Sequence, residues 1–177
     1  MLLEKGVLFV CTGNTCRSLM AEHLARPRLK SILGPNATIA SAGLRAQTRA
    51  DTKNAVQTLQ SVFGIDASSH TPQDVHTINT STYDLIVSID DCGANKNANA
   101  IRALGITPEQ HVAWKIDDPW GGDQTEYEQS ALAICKGHSP NCDKESRPCQ
   151  RRAPKNPRWS HVESRRTSKN EVLTLSC

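Results

Sequence analysis

The chain has 177 residues, seven of them cysteines, a formal net charge of +3 at pH 7 and 37% hydrophobic content; this fits one domain of ordinary size and leaves little for a second. The charge is too small to argue for nucleic acid, and "MLLEKGVLFV" has neither the positive n-region of a secretory leader nor an apolar run long enough to span a bilayer. An odd cysteine count in a chain of this length does not read as a secreted disulfide scaffold, so the expectation is a reducing, cytoplasmic setting with no membrane partner.

"GVLFV", residues 6 to 10, reads as a fully buried strand that empties into a polar loop, "CTGNTC". A helix follows from Ser18 in "SLMAEHLA" and is expected to kink or end near Arg26, because Pro27 removes one helical hydrogen bond and crowds the preceding turn. "ATIAS" (37 to 41) is a second strand candidate. "DTKNAVQTLQSVFG" spells a helix with Asp51 as its cap and Gly64 as its stop. "DLIVSI" (84 to 89) is a buried strand, "NANAIRALG" a helix from Asn97 to Gly105, and "HVAWKI" (111 to 116) another strand. The last helix runs from a capping Asp123 towards Gly137, with Tyr127, Ala131, Leu132 and Ile134 as its apolar face.

Strands alternating with helices of this size point to βαβ units. The expected fold is α/β: a three-layer α/β/α arrangement around a central four-stranded parallel sheet, with ligands beyond the carboxyl ends of the strands. Residues 1–137 form the expected domain. Residues 138–177 hold four prolines and nine Lys/Arg against four Asp/Glu, and read as a mostly disordered, solvated basic tail. Without interleaved aromatics the tail is not expected to read nucleic acid. Cys135, Cys142 and Cys149 are spaced by seven, which matches no standard zinc spacing, so no metal site is expected there.

The loop after the first strand carries the chemistry. An oxyanion such as phosphate needs converging N–H donors, a planar cation and a tight turn. Gly13 and Asn14 are residue types that tolerate positive φ and let successive amides form a nest. Thr12, Thr15 and Cys16 complete the ring, and Arg17 at the helix start brings its guanidinium to the same centre. Cys11 then lies at the bottom of the cradle facing a helix N-terminus, a setting that favours the thiolate. The Ser18 hydroxyl is placed to hydrogen-bond it. Cysteine, five residues, arginine and serine make a nucleophile inside an anion receptor.

"VLFVCTGNTCRSLMAE" resembles the loop of the low-molecular-weight protein tyrosine phosphatases, a family that includes arsenate reductases on the same fold. "DDPWGGDQTEYEQ" (117 to 129) looks like the family's aspartate-proline loop and last helix, and "SAG" (41 to 43) with "GIDASSH" (64 to 70) is a weaker third match. The resemblance covers roughly residues 4–137. It implies a phosphatase I-like fold and hydrolysis of protein phosphotyrosine, or a similar aryl phosphate, through a phosphocysteine on Cys11. It further implies that Arg17 and the loop amides hold the oxygens, with no metal or cofactor, and that Asp118 is the general acid. Asp117 is a rival for that role. Trp120 would wall the aryl ring, while Ser41 and His70 would hydrogen-bond Asn14 and fix its backbone. Cys16 would pair reversibly with Cys11 under oxidation.

Two alternatives stand beside this reading. Arsenate reduction uses the same cradle and needs a relay thiol; Cys92 in "DDCGANKN" is the candidate, although the expected second cysteine a few residues on is absent. A phosphate-binding module without turnover would need neither the thiol nor the acid.

Overall fold

The computed structural model describes residues 6–137. Its elements in chain order are β1 (Gly6–Cys11), α1 (Arg17–Leu33), β2 (Thr38–Gly43), α2 (Lys53–Phe63), β3 (Leu85–Asp90), α3 (Lys96–Ala103), β4 (His111–Lys115) and α4 (Gln124–Cys135). The four strands form one parallel sheet in the order β2-β1-β3-β4. The expectations for the tail, for Cys142 and for Cys149 lie outside the described residues.

Side chains alternate faces along a strand, and β1 uses both faces for burial. Val7 and Phe9 join Val87, Ile89 and Trp114 in a core capped by α1, α2 and α4; Leu8 and Val10 join Ile86 and Ile101 under α3 on the opposite face. This is the three-layer sandwich expected from the alternating elements, and it explains why β1 and β3 read as continuous apolar runs. Phe9 and Trp114 pack with ring centroids 5.6 Å apart. Among the described residues no helix is long and apolar enough to cross a membrane.

The chain leaves β1 towards β2 on one side and later places β3 on the other. The carboxyl end of β1 is therefore the switch point of the sheet, where a crevice opens between diverging connections. The polar loop begins there.

Three local expectations change. Of the two outcomes expected near Arg26, a kink or an end, helix α1 does not end there: it continues through Pro27 to Leu33. Pro27 lies on the exposed side while Leu24, Ala25 and Leu29 are buried, so packing of the inner face offsets one missing backbone bond. Asp51 does not cap α2. It belongs to a short 3-10 turn, Arg49–Thr52, where its carboxylate accepts from the backbone and hydroxyl of Thr48, and Thr52 precedes α2. On α4 the buried residues are Tyr127, Ser130, Ala131, Ile134 and Cys135, with Leu132 only half-buried. The expected stops hold: Gly64 adopts φ 67° and closes α2 through Gly64 N–H to Gln60 O and Ile65 N–H to Leu59 O. Asp123 caps α4 by accepting from the Glu126 amide at 3.0 Å.

Candidate functional site

The loop from Cys11 to Arg17 is shaped by what its carbonyls bind. Cys11 O, Thr12 O and Gly13 O accept from the amides of Leu44, Arg45 and Gln47 at 2.8 to 3.0 Å. In a trans peptide the carbonyl and the following N–H point in opposite directions. Tying these carbonyls outward therefore turns the Thr12, Gly13 and Asn14 amides inward, as an anion nest requires.

Only Asn14 in the loop takes positive φ, at 57°; Gly13 was expected to share that role and instead provides room. A Cβ on Gly13 would lie 2.9 Å from Gln47 Cγ. Gly43, at the end of β2, is needed for the same reason: its Cβ would meet Gly13 C at 2.8 Å and both Asn14 N and Thr12 O at 2.9 Å. The "SAG" stretch thus ends in the one side-chain size that lets the loop cross it.

Asn14 is fully buried and held at both ends of its amide. Its Nδ2 donates to Ser18 Oγ at 2.9 Å and to Ser41 Oγ at 2.8 Å, and its Oδ1 accepts from the Gln73 amide at 2.9 Å. His70 Nε2 lies 3.1 Å from Asn14 O, and because a carbonyl only accepts, Nε2 carries the hydrogen. Ser41 and His70 thus both hydrogen-bond Asn14. The sequence reading missed Glu22, a 7% exposed carboxylate that accepts from Ser41 and pairs with Arg26. The available signal was an acid in the otherwise apolar, small-residue stretch "LMAEHLA".

Cys11 Sγ and Ser18 Oγ are 3.0 Å apart, and both are buried. Thr12 hydrogen-bonds Asn97 Oδ1 at 3.2 Å, tying the loop to the first turn of α3. The Cys16 sulfur is 3.3 Å from Tyr127 Oη and 3.6 Å from Thr15 Oγ1, and burial pushes its thiol up to about 11. Cys16 contributes backbone to the loop while its side chain belongs to the core. Cys11 and Cys16 both carry free thiols.

Arg17 closes the ring, with its side chain 2% exposed. Nη1 donates to Asp91 Oδ1 at 2.9 Å and to Ile116 O at 3.1 Å, and Nη2 donates to Asp118 Oδ2 at 2.7 Å. Its Nε is buried and has no acceptor among the described residues. Buried donors without acceptors are rare, and here an oxyanion seated on the nest would supply one. Asp118 is one-third exposed and Asp91 about half, at 33% and 52%, so both carboxylates sit at the mouth. Asp91 also accepts from the Asp118 amide at 2.8 Å. The rival Asp117 accepts from the Cys92 amide at 3.0 Å, which ties the two rim segments together, and does not reach Arg17. Trp120 is 54% exposed beside Asp118, whose Oδ1 accepts its amide at 3.3 Å. Asp91 was missed at the sequence level, yet "DD" directly after a buried parallel strand carried the positional signal that singled out Cys11.

A buried thiol beneath a nest of amides and an arginine, at the switch point of a four-stranded parallel sheet, defines a cysteine-based receptor for tetrahedral oxyanions. The chain belongs to the low molecular weight phosphotyrosine protein phosphatase family, whose model matches residues 6–139. It is similar to arsenate reductase 1 of Staphylococcus epidermidis, with 33% identity over 127 residues covering 71% of this chain and 86% of the relative. The glutaredoxin arsenate reductase of Synechocystis sp. is 32% identical over 117 residues, covering 66% of this chain and 80% of the relative. Among solved structures, the low molecular weight protein tyrosine phosphatase from T. tengcongensis superposes with a TM-score of 0.63 at 26% identity, covering 74% of this chain and 92% of that one.

Proposed function

We propose that this protein reduces arsenate, with Cys11 as the nucleophile. The choice of arsenate over phosphate esters rests on one observation. The two curated relatives named above are called arsenate reductases and align over most of their own length. The phosphotyrosine hydrolysis implied by the loop resemblance is correspondingly the second reading. The geometry supports the chemistry common to both, since arsenate and phosphate share shape and charge.

The dianion docks on the inward amides and on Arg17, satisfying Nε and competing with Asp118 and Asp91 for the guanidinium. Cys11 Sγ attacks arsenic, and an oxygen leaves as water once protonated, forming a sulfur–arsenic bond. A small external thiol of the glutathione class then attacks the Cys11 sulfur. A disulfide bond forms, the sulfur–arsenic bond breaks, and its electron pair reduces arsenic from the +5 to the +3 state, released as arsenite. A second thiol restores Cys11. In that last exchange the second thiol attacks the outer sulfur of the disulfide, the sulfur–sulfur bond breaks, and Cys11 departs as a thiolate with the Ser18 hydroxyl 3.0 Å away to hydrogen-bond it.

Phosphomonoester hydrolysis is favoured by the position of Asp118, whose carboxylate rests on the Arg17 guanidinium at the mouth, with the exposed Trp120 next to it. That is a suitable place for an acid serving an aryl leaving group. Arsenate-dependent oxidation of NADPH through a glutathione and glutaredoxin couple, measured beside hydrolysis of para-nitrophenyl phosphate, separates the readings. Arsenate turnover is expected to exceed hydrolysis at least about tenfold in kcat/KM, and Cys11→Ser to abolish both. Asp118→Asn is expected to lower hydrolysis of phenyl phosphate, a poorer leaving group, by about 10² to 10⁴, with a smaller loss on para-nitrophenyl phosphate and far less on arsenate turnover. Efficient hydrolysis with inert arsenate would overturn the proposal in favour of the second reading.

A further inference from the structure

A cavity of about 350 Å³ is lined by Glu22, His23, Arg26, Ser41, His70 and Gln73, three of which also hydrogen-bond Asn14 of the loop. We propose that Glu22, His23 and His70 form a binding site there for a divalent transition-metal ion of the zinc class, coupled to the oxyanion loop through His70.

One ligand atom from each of the three residues lies within 4.8 Å of the others. A tetrahedral zinc ion with bonds of about 2.0 to 2.1 Å holds its ligands about 3.4 Å apart, so the side chains draw in by about 1.4 Å at most. His70 Nδ1 and Glu22 Oε2 are already 3.9 Å apart. Two imidazoles and one carboxylate are a donor set suited to zinc, and the cavity has room for water as a fourth ligand.

The protonation pattern agrees with this geometry. His70 Nε2 carries its hydrogen because it donates to Asn14 O, which leaves the Nδ1 lone pair facing the Glu22 carboxylate. Without a cation between them, lone pair and carboxylate repel. Donation of the second ring N–H to a backbone carbonyl is how metal-bound histidines are oriented. The His23 and His70 rings also meet edge to face with centroids 5.9 Å apart.

Arg26 opposes the site, since it pairs with Glu22 and places a cation at the cavity. Its side chain is 41% exposed, so it can turn outward as the metal takes the carboxylate. A bound ion would draw electron density from the His70 ring and make Nε2–H a stronger donor to Asn14 O. The loop would be reinforced without any contact between metal and substrate.

Cobalt(II) spectroscopy on the full chain carrying Cys11→Ser tests this while removing the nucleophilic thiol of the anion site as a competitor. The expected result is ligand-field absorption without thiolate-to-metal charge transfer, displaced by one equivalent of zinc. His23→Gln should weaken zinc affinity at least about tenfold, and Arg26→Ala should strengthen it several-fold. Zinc should raise the melting temperature of the parent and not of His23→Gln. The Arg26→Ala measurement does not depend on how well His23→Gln folds. Equal zinc affinity in all three proteins, or cobalt spectra dominated by thiolate charge transfer, would overturn the proposal. Because neither readout uses turnover, the result stands apart from the arsenate assay.

Discussion

Replacing Asn14 probes the support of the oxyanion loop most directly. Its side chain makes three buried hydrogen bonds, to Ser18, Ser41 and the Gln73 amide, each contributing about 0.5 to 1.5 kcal/mol. Its backbone sits at φ 57°, where alanine costs about 1 kcal/mol and glycine costs almost nothing. Asn14→Ala should therefore destabilise the fold by about 3 to 5 kcal/mol, and Asn14→Gly by about 1 kcal/mol less. At about 3 to 4 °C per kcal/mol for a domain of this size, the alanine variant should melt about 10 to 20 °C lower. Urea unfolding gives the free energies, and arsenate turnover in the same preparations reports on the loop. Glycine as damaging as alanine would refute the backbone part of the reasoning. Unchanged stability in both variants would refute the side-chain part.

Gly43→Ala should lower turnover at least about tenfold and stability by about 1 to 3 kcal/mol, because the new methyl meets backbone atoms of three loop residues; wild-type rates would show that the crossing is looser than described. Burial lowers the pKa of His23, His70 and His111 in the folded state. The unfolded chain therefore takes up protons first, and stability should fall as pH drops below about 6.5 and level off once the folded histidines also titrate. Urea midpoints from pH 8 to pH 5 measure this, and a midpoint that rises on acidification would contradict it. Tyr127→Phe, which removes the hydroxyl 3.3 Å from Cys16, should lower stability by about 1 kcal/mol and leave arsenate turnover within about twofold; a larger kinetic loss would assign Cys16 a part beyond packing.

The strands and most helix ends were legible because they depend on local patterns. β1 and β3 are buried on both faces and read as unbroken apolar runs, and the glycine and aspartate at the ends of α2 and α4 act within a single turn. The triad of Cys11, Arg17 and Ser18 was legible for a similar reason, since one loop and the first turn of α1 bring it together. What escaped notice depends on distant partners. Pro27 is tolerated because Leu29 and its neighbours pack on the sheet, and a propensity argument does not include that contact. Glu22 matters through Ser41 and His70, Asp91 through Arg17, and Gln73 through its backbone alone. Side-chain identity gives no sign of a main-chain donor, so Gln73 could not be found in the sequence. Gly13 shows the opposite case: its identity was informative, but the requirement was space beside Gln47 and not an unusual φ.

The sheet order has a consequence for how activities diverge on this scaffold. The oxyanion ring springs from β1, an interior strand bonded on both flanks, whereas Asp118 and Trp120 follow β4, a border strand with a neighbour on one side only. The cradle is thus rooted in a strand paired on both sides, and the carboxylate and indole at its mouth hang from the margin of the sheet. On the proposed reading, substitutions at the margin would exchange one leaving group or thiol donor for another while the cradle stays intact.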